Sequence, residues 1–201
     1  MKTIEETRFI DNVVETLRKA SIEMEELQVH AALGKAEAKE KFEEVKKKFN
    51  LVLHEAKSKI TEGKDKVEEI DTKFDELRVQ LELGKADGLD SFRKEKRKLL
   101  AKLYEIEVKI KTNKHLNRLY AFVLLEIEKF KLNLSILEQK FEQGKEGAKV
   151  SFEKGKQEFN QFIETIKVKY GKEEESTKWE HFQGEISEAF LHFKKAFIQP
   201  A

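Results

Sequence analysis

Residues 37–52 read Glu37-Ala38-Lys39-Glu40-Lys41-Phe42-Glu43-Glu44-Val45-Lys46-Lys47-Lys48-Phe49-Asn50-Leu51-Val52. Phe42, Val45, Phe49 and Val52 recur at steps of three and four, the spacing that lines one face of an α-helix. On the other faces Glu37 and Lys41, and Glu44 and Lys48, stand four residues apart with the glutamate first. Each such pair adds about 0.2–0.5 kcal/mol to a helix in this orientation. An apolar stripe with charged flanks predicts an amphipathic helix that must bury one face.

The same spacing continues on both sides. Phe9, Val13, Leu17, Ala20, Met24, Leu27, Ala31, Gly34 and Ala38 lead into the stretch, and Ala56 and Ile60 lead out of it. A second run passes through Val67, Ile70, Phe74, Leu77, Leu81, Gly84, Gly88, Phe92, Leu99, Leu103, Ile106 and Ile110. A third joins Leu116, Tyr120, Val123, Ile127, Phe130, Leu134, Leu137, Phe141, Gly144, Ala148, Phe152, Phe159, Ile163, Ile166 and Tyr170. The period lies nearer 3.6 than 3.5, which predicts nearly straight helices. In the second run a seam position falls on Glu95 or Lys96, so looser packing is expected there.

Breaks are expected at three places. Asn113, within Thr112-Asn113-Lys114, can cap or turn the chain. Gly63, followed by Asp65, can end one helix and begin another; a single helix through it would exceed about 150 Å at ~1.5 Å per residue. Gly171 opens a polar loop over 171–177, where Ser176 or Thr177 can cap a last helix. That segment, 178–201, carries an aromatic stripe of Trp179, Phe182, Ile186, Phe190, Phe193 and Phe197 before Pro200. The stripe either docks on the bundle or inserts into a partner. The expected organisation is therefore a long-helix bundle over 1–170, a loop, and an aromatic C-terminal helix.

Composition narrows the class. Of 201 residues, 39% are charged and 39% hydrophobic, with one proline and nine glycines, so little material is left for turns. Such usage marks a long-helix or coiled-coil protein. The fold expected is all-α: long amphipathic helices in an elongated antiparallel bundle. Lys and Arg number 40 against 39 Asp and Glu, a balance that argues against nucleic acid as partner. The runs Lys46-Lys47-Lys48 and Arg93-Lys94-Glu95-Lys96-Arg97-Lys98 read as solvated helix faces. With no cysteine, disulfides and thiolate chemistry are excluded. The start, Met1-Lys2-Thr3-Ile4-Glu5-Glu6, lacks the apolar core of a secretory signal. The most apolar stretch, Leu119 to Ile127, carries Glu126 and is too short to span a bilayer. A cytoplasmic protein is expected.

Three segments, 27–49, 77–99 and 137–159, align without gaps. They share Leu27, Leu77 and Leu137, then Gly34-Lys35, Gly84-Lys85 and Gly144-Lys145, then Phe42, Phe92 and Phe152. Glycine inside a helix costs about 1 kcal/mol relative to alanine, so a compensating contact is expected at each copy. The expectation is a notch at Gly34, Gly84 and Gly144 that a sister module's phenylalanine fills. The Gly-Lys pair lacks the glycine spacing and the Ser/Thr of a phosphate loop. The module Leu33-Gly34-Lys35-Ala36-Glu37-Ala38, with Phe42 and Phe49, resembles bacterial coiled-coil proteins labelled as stress-response proteins. That resemblance implies a cytoplasmic helical protein induced under stress and carries over no catalytic residue.

His30, His54, His115, His181 and His192 are scattered without the Glu-x-x-His or His-Glu-x-x-His spacing of metal sites. No catalytic, cofactor-binding or metal-ligating residue is assigned, and no cofactor or small-molecule substrate is inferred. The function expected is a non-enzymatic bundle acting through protein–protein contact, with self-assembly into a homo-oligomer. The alternatives are reversible coating of a membrane or lipid surface by amphipathic helices, and a metal-binding bundle.

Overall fold

The computed structural model describes residues 4–30, 35–62, 68–112, 118–143 and 148–170, together with Glu188 and Leu191. The described residues are all-α. The helices are α1 (Ile4–His30), α2 (Lys35–Glu62), α3 (Glu68–Leu83), α4 (Leu89–Thr112), α5 (Arg118–Gln143) and α6 (Ala148–Tyr170). The breaks expected near Gly63 and Asn113 fall between α2 and α3 and between α4 and α5, where the chain reverses; the break expected at Gly171 lies outside the described residues. The loop 171–177 and the aromatic stripe of Trp179, Phe182, Phe190, Phe193 and Phe197 lie outside the described residues.

One further break corrects the expectation of long uninterrupted runs: α3 stops at Leu83 and α4 starts at Leu89. Gly84 adjoins it, so in the second module the glycine stands at a helix boundary and not in mid-helix. Apolar residues keep their three-and-four spacing across so short a connector, which is why periodicity runs through it.

The expected single bundle over 1–170 divides into two compact units, residues 33–142 and residues 1–32 with 143–201. In the second of these, α1 and α6 pack as an antiparallel pair, with Ser21 Oγ donating to Asn160 Oδ1 at 3.4 Å and Arg18 reaching Glu164 at 2.8 Å. The buried faces of the pair hold Val13, Leu17, Ala20, Met24 and Leu27 of α1 and Phe159, Ile163 and Ile166 of α6.

In the unit of residues 33–142, α2, α3, α4 and α5 alternate in direction. Helices α2 and α3 are tied by Lys57 to Asp75 and by Arg78 Nε to Asn50 Oδ1 at 3.1 Å; the chain reverses between them. Helices α3 and α4 are tied by Lys102 to Glu76 at 2.6 Å and Lys73 to Glu105 at 2.8 Å. Helices α2–α3 and α3–α4 pack backbone against backbone, whereas α5 is reached through long side chains. Phe49 of α2 stacks on Phe130 of α5, centroids 4.2 Å apart, and Phe92 of α4 meets Phe141 of α5 at 4.9 Å. Helix α5 is buried around most of its circumference: Leu124, Leu125, Leu132 and Ile136 are as covered as Val123, Ile127, Phe130 and Leu134. A helix apolar on most sides belongs in an interior, and within the apolar stretch Tyr120, Val123, Leu124, Leu125 and Ile127 are buried.

Candidate functional site

Polar groups inside the unit of residues 33–142 gather at two places, the junction around Gly84 and the face between α4 and α5. The junction begins where α3 ends. The Gly84 N–H donates to the Gln80 carbonyl at 3.0 Å, the last helical bond of α3. After Gly84 the chain reaches Gly88, whose N–H donates to Ser91 Oγ at 2.9 Å while its carbonyl accepts from the Phe92 N–H at 2.9 Å. Ser91 thereby caps the first turn of α4.

Gly84 leaves room for the Glu95 side chain, which would have to shift if a Cβ stood there. A Cβ there would lie 2.8 Å from Glu95 Cγ and closer still to its carboxyl group. The notch is thus filled by a glutamate from the same module, and not by a sister phenylalanine as the repeat suggested. Phe42 and Phe92 instead meet each other edge to face at 5.1 Å. That pair, extended by Phe141, forms the aromatic floor below the junction, each such contact adding about 0.5–1.5 kcal/mol beyond area burial. Gly34, Gly144 and the side chain of Phe152 lie outside the described residues.

Above that floor Lys46 of α2, expected on a solvated face, is 2% exposed. Its ammonium donates to the Gly84 carbonyl, pairs with Glu43 at 3.0 Å and stands 4.9 Å from the centroid of the Phe42 ring. Glu95, 4% exposed, accepts from Gln80 Nε2 and pairs with Lys98 at 3.3 Å. The looser packing expected at Glu95 and Lys96 is not found. Both are buried because partners on neighbouring helices complete them.

Lys96 opens the α4–α5 face. It is 8% exposed, donating to Ser135 Oγ at 3.3 Å and Glu138 Oε2 at 2.6 Å. Arg93 reaches the same carboxylate at 3.2 Å and pairs with Glu142. Burial raises the Glu138 carboxyl, but Lys96 and Arg93 outweigh it and hold the group below its ordinary value. Further along, Lys131 lies between two carboxylates, 3.1 Å from Glu107 and 2.9 Å from Glu128. On α5 the contributors are Glu128, Lys131, Ser135, Glu138 and Glu142, spaced three and four apart. That periodicity was visible, but it is polar, and a search for apolar stripes passes over it. The basic run 93–98, expected to be a solvated face, sends Arg93 and Lys96 to α5 and leaves Lys94 and Arg97 exposed.

No protein-family model, no curated protein and no solved structure matches this chain. The likeness of the Leu-Gly-Lys-Ala module to bacterial stress-response coiled coils accordingly rests on the residues of the module. Among the described residues no group of three His, Cys, Asp or Glu side chains is arranged to hold a metal ion. No helix among them is long and apolar enough to cross a membrane. What the arrangement does chemically is neutralise charge inside a bundle: each of the four interior charges named above, Lys46, Glu95, Lys96 and Glu107, meets an opposite charge.

Proposed function

We propose that this chain is a non-enzymatic helical-bundle protein that acts through protein–protein contact, with a second copy of itself as its first partner. One observation supports the reading most directly. Large apolar side chains stand on outer helix faces at helical spacing: Val79 and Leu83 on α3, and Tyr104 and Val108 on α4. Leu83 is 72% exposed and Tyr104 66%. Pairs four residues apart on a helix are the anchors that another helix reads. The buried charges Lys46, Glu95, Lys96 and Glu107 each meet an opposite charge, so this polar interior serves architecture. Mixed charge on the outer faces favours protein over nucleic acid. The reading places the protein in the cytoplasm, and the module's resemblance adds a role under stress.

Light scattering coupled to small-angle X-ray scattering tests this. The wild type is expected to be a stable oligomer, and Leu83→Lys with Tyr104→Lys to shift it toward monomer while leaving its helical circular dichroism unchanged. A wild type that stays monomeric at every concentration, but gains helix on binding vesicles, would replace this reading with surface coating by amphipathic helices.

A further inference from the structure

We propose that Glu107, Glu128 and Lys131 form a proton-operated latch between α4 and α5, which takes up one proton as pH falls and releases it, with part of the pair's stability, as pH rises. The geometry is unusual for a helix pair. Lys131 Nζ lies 3.1 and 3.4 Å from the two oxygens of Glu107 and 2.9 Å from Glu128 Oε1. Glu107 is buried and Glu128 nearly so. Both carboxyl groups therefore crowd a single ammonium. Two bare carboxylates held that close repel, which favours a proton on one of them. With both glutamates ionised the cluster carries one net negative charge, and a single proton makes it neutral.

Lys131 is the cation that meets both carboxyl groups among the described residues. Among the described residues Glu128's charged partners are Glu107 of α4 and Lys131 of its own helix. On α5, Glu138 is committed to Lys96 and Arg93, and Glu126 to Lys129. On α4, Lys102, Glu105 and Lys109 are engaged with Glu76, Lys73 and Glu69 of α3. On α2, Lys46 is held by Glu43 and Lys57 by Asp75 of α3. Burial pushes the Glu128 carboxyl above its ordinary value of 4.5, and Glu107 pushes it further, with Lys131 offsetting only part. Burial lowers the Lys131 ammonium, but Glu128 and Glu107 outweigh it, so it stays charged as Glu128 titrates.

The sign follows from linkage. A folded value raised above the unfolded one gives stability that is complete below the ordinary carboxylate value of 4.5 and is lost as pH rises through the folded value. Glu138, Glu76 and Glu44 are held below 4.5 and act oppositely, their contribution fading as pH falls through their lowered values. Stability therefore climbs as pH falls through the raised Glu128 value and falls again as pH drops through the lowered values of Glu138, Glu76 and Glu44.

The test is thermal unfolding of the full chain across mildly alkaline to mildly acidic pH, with Glu128→Gln beside the wild type. The wild-type Tm is expected to rise by a few degrees toward acid. The Glu128→Gln chain, already neutral at that position and still able to donate to Glu107, is expected to lose that slope. A flat or falling wild-type Tm over this range would overturn the proposal, and so would a Glu128→Gln chain that keeps the slope. Should that variant fail to fold, carboxyl carbon-13 titration of the wild type decides alone. A Glu128 midpoint above the ordinary carboxylate range supports the latch, and one at or below it sinks the idea.

Discussion

The α1–α6 pair and the α4–α5 pair are both antiparallel, but they are held by opposite means. Between α1 and α6 the ion pair Arg18–Glu164 sits at the rim, its side chains 53% and 59% exposed, and Lys156 pairs with Glu25 at the edge, while Leu17, Met24, Phe159 and Ile163 are buried. Ala20 and Ser21 on the buried face of α1 leave room for the backbones to approach. Between α4 and α5 the charges are inside, Lys96 with Glu138 and Lys131 with Glu107 and Glu128, and long side chains span the gap. An apolar face gains free energy by burial in many registers. A row of matched charges is satisfied in one register, and its members become liabilities if a partner is removed. The difference teaches that the unit of residues 33–142 spends part of its interior on specifying which residues of α5 meet which residues of α4.

If that distinction holds, its largest effect comes from Lys131→Met. Removing the ammonium leaves Glu107 and Glu128 facing each other without a cation. The expected loss is about 3 kcal/mol near neutral pH, at the lower end for a broken buried pair because Lys131 is partly exposed. Urea unfolding measures it, and a loss below about 0.5 kcal/mol, the level of a rim pair, would erase the contrast between the two faces. A smaller effect is expected from Gly84→Leu, which drives a side chain into Glu95 and strains the Gln80 and Lys98 contacts. Overpacking of this kind costs about 1–3 kcal/mol. Truncating Glu95 to alanine should remove most of the Gly84→Leu penalty, since the obstacle is the Glu95 side chain. If the penalty persists unchanged in the double variant, space around Gly84 is not what the glycine provides.

Much of this was legible in sequence, and the failures share a cause. Periodicity and charge pairs were enough for the all-α class, and Gly63 and Asn113 marked the two places where the chain reverses between α2 and α3 and between α4 and α5. At Gly84 the apolar spacing runs on through Ala86 to Phe92, so the break is hidden from any count along the chain. The pair of glycines at 84 and 88 with Ser91 three residues beyond was the readable signal, a stop followed by a start. Glu95 and Lys96 were misjudged for a different reason. A charge at a seam position looks like a defect until its partners are known. Those partners, Gln80 on α3 and Glu138 on α5, lie on other helices, where periodicity within one helix cannot see them. The density of apolar residues from Leu119 to Ile127 was noticed but weighed only against a membrane. Its use is a helix buried on most sides.

The smallest expected effect sharpens the comparison from the other side. Arg18→Ala removes the rim pair with Glu164 and leaves the apolar face of α1 intact. An exposed pair contributes about 0–1 kcal/mol, less in salt. The expected loss is therefore within about 0.5 kcal/mol, and it should disappear in high salt, where Lys131→Met keeps most of its penalty because buried charges are poorly screened. Unfolding both variants at low and high salt separates the two kinds of face with one variable. If Arg18→Ala proved as costly as Lys131→Met and equally insensitive to salt, charge would be organising the α1–α6 pair as well. Register would then be specified electrostatically in both units, and the apolar reading of the first pair would be wrong.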